Sequence, residues 1–235
     1  MAVFIVAHGA WSSGWAWRKM RPLMRAAGHE LFTPSYTGLG ERRHLASTAV
    51  NLSLHIDDVV NVLDAEDLRD VVLVGHSFGG VVATGVADRA RDRVARIIYL
   101  DAVVPEDGQA LMDLVPTQAR EGMRAACLAG DGWRVPPRDM PPDTPDEDRV
   151  WATPRRAAHP IAAFEERLSL SGEPLPPRAY IYCRRCDGHD SFGPFAARAR
   201  REGWPYVEID ASHNPHITAP EHLCAVICES LGLGS

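Results

Sequence analysis

The 235 residues include one lysine, Lys19, so the other basic side chains are arginines. Positive charge is in short supply overall: 25 basic residues face 31 acidic ones, a formal net charge of −6. Without a basic surplus there is no field to draw the chain onto phosphate backbones, and nucleic acid is excluded as a partner. The arginine bias is what a GC-rich coding sequence produces and carries no functional weight. Long apolar runs are missing too. None approaches the ~18 residues of a membrane span, so no membrane partner is expected. The N-terminus lacks the basic, apolar and cleavage regions of an export signal and enters an apolar strand at Ala2, which points to a cytoplasmic protein.

Cysteine is sparse and odd in number: Cys127, Cys183, Cys186, Cys224 and Cys228. A chain of this size needs no disulfide staples, and the count suits a reducing compartment. The spacings at 183–186 and 224–228 are compatible with zinc. The second pair, however, shares a helix face with Leu223, Ile227 and Leu231, where small buried thiols explain it better. No metal and no cofactor are expected. Oligomeric state is not readable.

With 46% apolar and 24% charged residues the chain has the composition of an ordinary globular protein, and its length suits a single sizeable core. Short apolar runs at Val3–Ala7, Glu30–Phe32, Val71–Val74, Ile97–Leu100, Tyr180–Cys183 and Tyr206–Ile209 alternate with stripes at helical spacing. The stripes are Trp17 to Ala27, Ile56 to Leu63, Val81 to Ala90, and a last one opening at Pro220-Glu221 and ending around Leu231-Gly232. Four of the runs are apolar on both faces, as in a parallel sheet covered by helices. The fold class is α/β, a doubly wound, mainly parallel six-stranded sheet. From about Val104 to Pro177 no strand pattern appears, and ten of the 18 prolines lie between Pro136 and Pro177. Trp133, Trp151, Phe164, Leu168 and Leu170 give that stretch apolar anchors. The expected organisation is a core of residues 1–103 and 178–235 with a cap insertion, 104–177, over the sheet's carboxyl edge.

Chemistry concentrates at Gly75-His76-Ser77-Phe78-Gly79, a G-x-S-x-G between a buried strand and a helix. That context makes a nucleophile of Ser77, held in a strained turn with its hydroxyl clear of the sheet. A serine hydroxyl needs a base. His213, in the loop that follows the last strand, is in place for it, with His216 as competitor. Oxyanion donors are expected from the backbone amides of Phe78 and, in the turn after the first strand, Ala10. His8 reads as a structural residue that shapes its turn, and His76 as one that packs beside the elbow. Two positions can supply an acid. Asp101 ends the fourth strand, where burial demands a partner; Asp187 follows Arg184-Arg185-Cys186, with Asp190 a more distant third. Asp101 is favoured, with Asp187 the alternative. Trp11, Phe78, Trp133 and Trp151 are expected around the substrate.

These motifs resemble the α/β-hydrolase superfamily, and more closely the plant methylesterase and hydroxynitrile lyase family with its bacterial esterase relatives. The resemblance is carried by His8-Gly9-Ala10-Trp11, Gly14-Trp15-Ala16-Trp17, Ala27-Gly28-His29, Gly75 to Gly80 and Ser212-His213. It implies a six-stranded hydrolase core and a Ser-His-Asp triad. Tyr36 to Arg42 and Tyr99 to Ala102 look like the bacterial branch. The cyanohydrin-cleaving members carry threonine, cysteine and lysine where this chain has Gly9, Phe78 and Asn214, which argues against lyase chemistry on cyanide. The plant esterases' acid would fall on Cys186, which strengthens Asp101. The expected function is a serine hydrolase acting on a small, largely apolar carboxylic ester through an acyl-enzyme. A lyase or cyclase, a C–C bond hydrolase, or a ligand receptor on the same scaffold are the alternatives.

Overall fold

The computed structural model describes residues 1–186 and 190–230. In chain order its strands are β1 (Val3–Ala7), β2 (Glu30–Phe32), β3 (Val71–His76), β4 (Val94–Leu100), β5 (Arg134–Val135), β6 (His159–Pro160), β7 (Arg178–Cys183) and β8 (Tyr206–Ile209). The helices are α1 (Met20–Ala26), α2 (Leu52–Ala65), α3 (Gly79–Arg89), α4 (Leu111–Leu114), α5 (Thr117–Ala129), α6 (Asp146–Ala152), α7 (Ala162–Glu165), α8 (Gly193–Arg201), α9 (Pro215–Thr218) and α10 (Pro220–Ala225). After α10 a single π turn, Val226–Ser230, continues the chain. The end expected for that last helix, at Leu231-Gly232, lies outside the described residues.

Six strands pair in the order β2-β1-β3-β4-β7-β8, every pair parallel. Alternation along each strand divides the core between the two faces. Ile5, Leu73, Ile97, Tyr99 and Tyr180 meet the stripes of α2 and α3 on one side. Phe4, Val6, Val74, Ile98 and Ile181 meet Trp17, Met20, Met24, Leu223 and Ile227 on the other. Cys224 and Cys228 are buried in this second core, with Cys224 Sγ 3.7 Å from Met24 Sδ. Local signals set the helix limits: Asn51 caps α2 by accepting from the Leu54 amide, and Gly28, at φ +80°, ends α1.

The stretch between β4 and β7 is built of short helices, α4 to α7, and it also contains strands. β5 and β6 form an antiparallel ribbon, pairing Arg134 with Pro160 and Val135 with His159. Strands of two residues, one of them a proline, have no period to detect. Phe164 and Leu168 bury this insertion against the first core. At its other end the chain's one lysine holds it down: Lys19 Nζ lies 2.6 Å from the buried Asp148 carboxylate and also donates to the Ile217 carbonyl.

Two strained turns stand at the carboxyl ends of adjacent central strands. After β3, Ser77 has φ 57°, and after β4, Asp101 has φ 41°. Each turn has a specific support. A Cβ built on Gly79 would sit 2.0 Å from the Ala7 carbonyl oxygen, so only glycine lets α3 start this close to β1. Beside Asp101, the Tyr180 hydroxyl donates to the Ala102 carbonyl at 2.8 Å and accepts from the Ala102 amide at 3.2 Å. Gly79→Ala should cost roughly 3 kcal/mol or more, since the obstacle is backbone and cannot rotate away. Tyr180→Phe, which strands two buried main-chain groups, should cost about 1–3 kcal/mol. Urea denaturation of the two variants measures both, and a midpoint equal to the parent's would refute either assignment.

Candidate active site

Three residues far apart in the sequence meet where β3, β4 and β8 end. His213 Nε2 is 2.9 Å from Ser77 Oγ, and His213 Nδ1 is 2.7 Å from Asp101 Oδ2. The other Asp101 oxygen accepts from the Cys183 amide at 3.3 Å. Parallel pairing of β4 with β7 is what brings that amide to the carboxylate. The Asp101 side chain is 5% exposed and that of His213 33%, so the carboxylate lies inside while the imidazole edge meets the cavity. Phe192 stacks face to face on His213 at 4.6 Å. A hydroxyl, imidazole and carboxylate joined in this order can move a proton off the hydroxyl and stabilise the resulting imidazolium.

The neighbouring histidines take no part in that chain. His76 Nε2–H donates to the His213 carbonyl at 2.7 Å, fixing the loop that carries the imidazole. Burial pushes His76 well below the ordinary histidine range, and the charges of His216 and His213 add to the effect. His216 is stacked on Trp17 at 4.6 Å, and burial takes it down to about 3. Both rings stay neutral, so neither opposes a positive charge on His213. His216, the competitor for the base, is buried in the wall of the cavity, and it is His213 that bonds Ser77.

The turn after β1 passes beside Ser77. Its shape is set by His8, which donates from Nδ1 to the Gly9 carbonyl at 2.9 Å and accepts the Tyr36 amide on Nε2 at 3.2 Å. Burial lowers His8 to about 3, which keeps it in that neutral tautomer. Ala10 and Phe78 both line the cavity, and among the described residues neither amide donates to a protein acceptor. Trp11 follows with φ 59°, a third left-handed residue around one site.

The cavity above Ser77 has a volume of about 460 Å³. Trp11, Phe78 and Val103 of the core line it together with Leu111, Val115, Met123 and Met140 of the insertion, and Arg138, Asp139 and Arg156 bring charge to its wall. Trp133 and Trp151, expected there, do not line it. Trp151 packs edge-on against Trp15, with the Arg18 guanidinium 3.6 Å above its ring. Trp133 lies under Arg134 at 4.5 Å. Their flat faces found arginines, and Trp15 lines the cavity in place of Trp151. Sequence reasoning also missed Tyr180, Phe192 and the α5 stripe; Ala119 and Met123, four residues apart on α5, face the cavity together. Asp187, the alternative acid, lies outside the described residues. Asp190 bonds the Tyr182 hydroxyl and the Phe192 and Gly193 amides. Among the described residues, no group of three or more histidine, cysteine, aspartate or glutamate side chains is placed to hold a metal ion, and no helix is long and apolar enough to cross a membrane.

An esterase described as carbendazim-hydrolysing, from Nocardioides sp. strain SG-4G, is 38% identical over 95% of this chain and 97% of its own. A pheophorbidase from Raphanus sativus is 25% identical over 97% of this chain and 93% of its own. Among solved structures, an extracellular α/β-hydrolase from a Paenibacillus species superposes with a TM-score of 0.84 at 22% identity, covering 98% of this chain and 99% of that one. The family model for the alpha/beta hydrolase family matches residues 3–226, and the chain belongs to that family.

Proposed function

We propose that the chain is an esterase that cleaves small, largely apolar carboxylic esters through an acyl-enzyme. What carries the reading is the unbroken chain of hydrogen bonds from Ser77 Oγ through His213 to Asp101, opening onto a mostly apolar cavity. Ser77 attacks the ester carbonyl as His213 Nε2 takes its proton. Asp101 holds the imidazole by Nδ1 and stabilises its positive charge, and the face of Phe192 lies against the same ring. The Ala10 and Phe78 amides receive the negative charge that develops on the carbonyl oxygen, each worth about 3 kcal/mol of barrier. His213 then returns the proton to the departing alcohol, and a water molecule, activated in the same way, releases the acid.

The volume of the cavity suits an acid part of one or two rings with a small alcohol. The relatives agree in kind, since methylesterases from Arabidopsis thaliana stand beside the carbendazim-hydrolysing esterase. Methyl esters of aromatic acids, together with carbendazim, are therefore the substrates to try first. Among the described residues no cysteine forms a disulfide and Cys186 lies at the surface, and we place the chain in a reducing, cytoplasmic setting.

Ser77→Ala should abolish both ester turnover and covalent labelling by a fluorophosphonate. Labelling that persists at one site would remove Ser77 from its role. Asp101→Asn should lower kcat by about 10⁴-fold by imposing the wrong imidazole tautomer, while Asp187→Asn stays near the parent. The reverse pattern would make Asp187 the acid.

A further inference from the structure

A second line of polar groups, buried except at Arg42 and outside the Ser77–His213–Asp101 chain, ends on the turn that carries Ala10. The Asp58 carboxylate accepts from the Thr37 amide at 2.5 Å and the Thr37 hydroxyl at 2.8 Å, and pairs with Arg42 at 2.6 Å. One turn earlier on α2, His55 points Nδ1 at Asp58 Oδ2 from 3.8 Å and sets Nε2 against His159 Nε2 at 3.1 Å. His159, on β6 of the insertion, receives the Trp11 amide on Nδ1 at 3.3 Å. Both imidazoles are wholly buried, His55 sandwiched against Tyr36 and His159 against Phe164.

The protons in this line have one consistent arrangement. The Trp11 amide can only donate, so His159 Nδ1 is the acceptor and its proton sits on Nε2. That proton goes to His55 Nε2, which must then be the bare nitrogen. The His55 proton is left on Nδ1, on the side of the Asp58 carboxylate, where an N–H is favoured. Burial lowers both histidines, His159 well below the ordinary range, which keeps the pair neutral. A proton added to either ring would set two N–H groups against each other.

We propose that His159, oriented by His55 and Asp58, is a positioning residue for the oxyanion turn: it fixes the Trp11 amide and, through it, the adjoining Ala10 amide. The proposal rests on the reading of Ala10 as an oxyanion donor. Trp11 has a left-handed backbone, so the turn is strained and needs an outside hold. The insertion supplies two more. Trp11 Nε1 donates to the Val135 carbonyl at 2.9 Å, and the Trp11 carbonyl accepts from the Ala157 amide at 3.3 Å. Of the three contacts, the one at His159 is made by a side chain and can be edited without moving the insertion's backbone.

The test compares His159→Phe, which keeps a ring against Phe164 but offers no acceptor, with His159→Asn, whose carbonyl takes the place of Nδ1. Steady-state kinetics are read on a methyl ester and on the matching thionoester. Sulfur accepts hydrogen bonds poorly, so the oxo-to-thiono ratio of kcat reports on the oxyanion donors. His159→Phe should lower kcat on the oxoester roughly 10- to 100-fold with KM little changed, and compress the ratio by a similar factor. His159→Asn should recover most of both. An unchanged kcat in folded His159→Phe, or a loss shared equally by the two esters, overturns the positioning role. Should His159→Phe fail to fold, His55→Gln, which keeps an acceptor toward His159, against His55→Leu carries the same comparison: the ratio is preserved in the first and compressed in the second, and equal ratios overturn the proposal. Ser77→Ala, run alongside, reports separately on the nucleophile.

Discussion

The backbone at Ser77 is the constraint on which the site depends. A left-handed serine costs of order 1–3 kcal/mol and survives only when its surroundings leave it no alternative. The Ser77 amide donates to the Leu100 carbonyl at 3.3 Å, and its own carbonyl accepts from Gly80 at 3.1 Å and Val103 at 3.3 Å. Leu100 ends β4 and Val103 stands two residues past Asp101. The turn presenting the hydroxyl is thus bonded to the turn presenting the carboxylate, and the second is tied by Tyr180 to β7. Main-chain hydrogen bonds across neighbouring parallel strands set the spacing between these groups, and His213 has only to bridge it.

Around this arrangement the protein collects histidines and keeps them uncharged. His8, His76, His216, His55 and His159 are all buried, and burial lowers each of them. Their value is directional. A neutral imidazole offers one donor and one acceptor, and three of the rings use this to orient a particular stretch of main chain: Gly9 and Tyr36 by His8, the His213 carbonyl by His76, Trp11 by His159. His213 differs in its partial exposure. Its imidazole edge meets the cavity above Ser77.

Six strands were readable as short, mostly apolar runs: in the four central strands both faces of the parallel sheet are covered, and the edge strands β2 and β8 are broken only by Glu30 and Glu208. β3, β4 and β7 extend two or three residues beyond their runs, since Gly75-His76, Val94 to Arg96 and Arg178-Ala179 also lie in the strands or pair in the ladder. Ser77 and His213 were readable from spacing and chain order. The acid was not decidable that way, because what favours Asp101 is the Cys183 amide across the β4–β7 pairing, and strand order is a property of the sheet. The insertion was the least readable part. Its tryptophans announced that it folds, but an indole packs on an arginine as readily as it walls a cavity, and Trp133 and Trp151 did the former. Nor does any local pattern reveal that His55 and His159, 104 positions apart, would share a proton.

An insertion of this kind invites treatment as an exchangeable module, to be grafted between relatives to change what the enzyme accepts. The grip on Trp11 divides it in two. Residues 111–123 and 138–142, on either side of β5, supply most of its share of the cavity wall, at Leu111, Val115, Met123 and Met140, and an exchange confined to them trades one wall for another. Val135, Ala157 and His159 serve the turn beneath, and two of these contacts are made by main chain, so they depend on where the ribbon runs more than on its sequence. A donor loop with a shorter or shifted ribbon would transfer the desired preference and lose turnover in the same step. The boundary for such exchanges lies inside the insertion, at the β5–β6 ribbon.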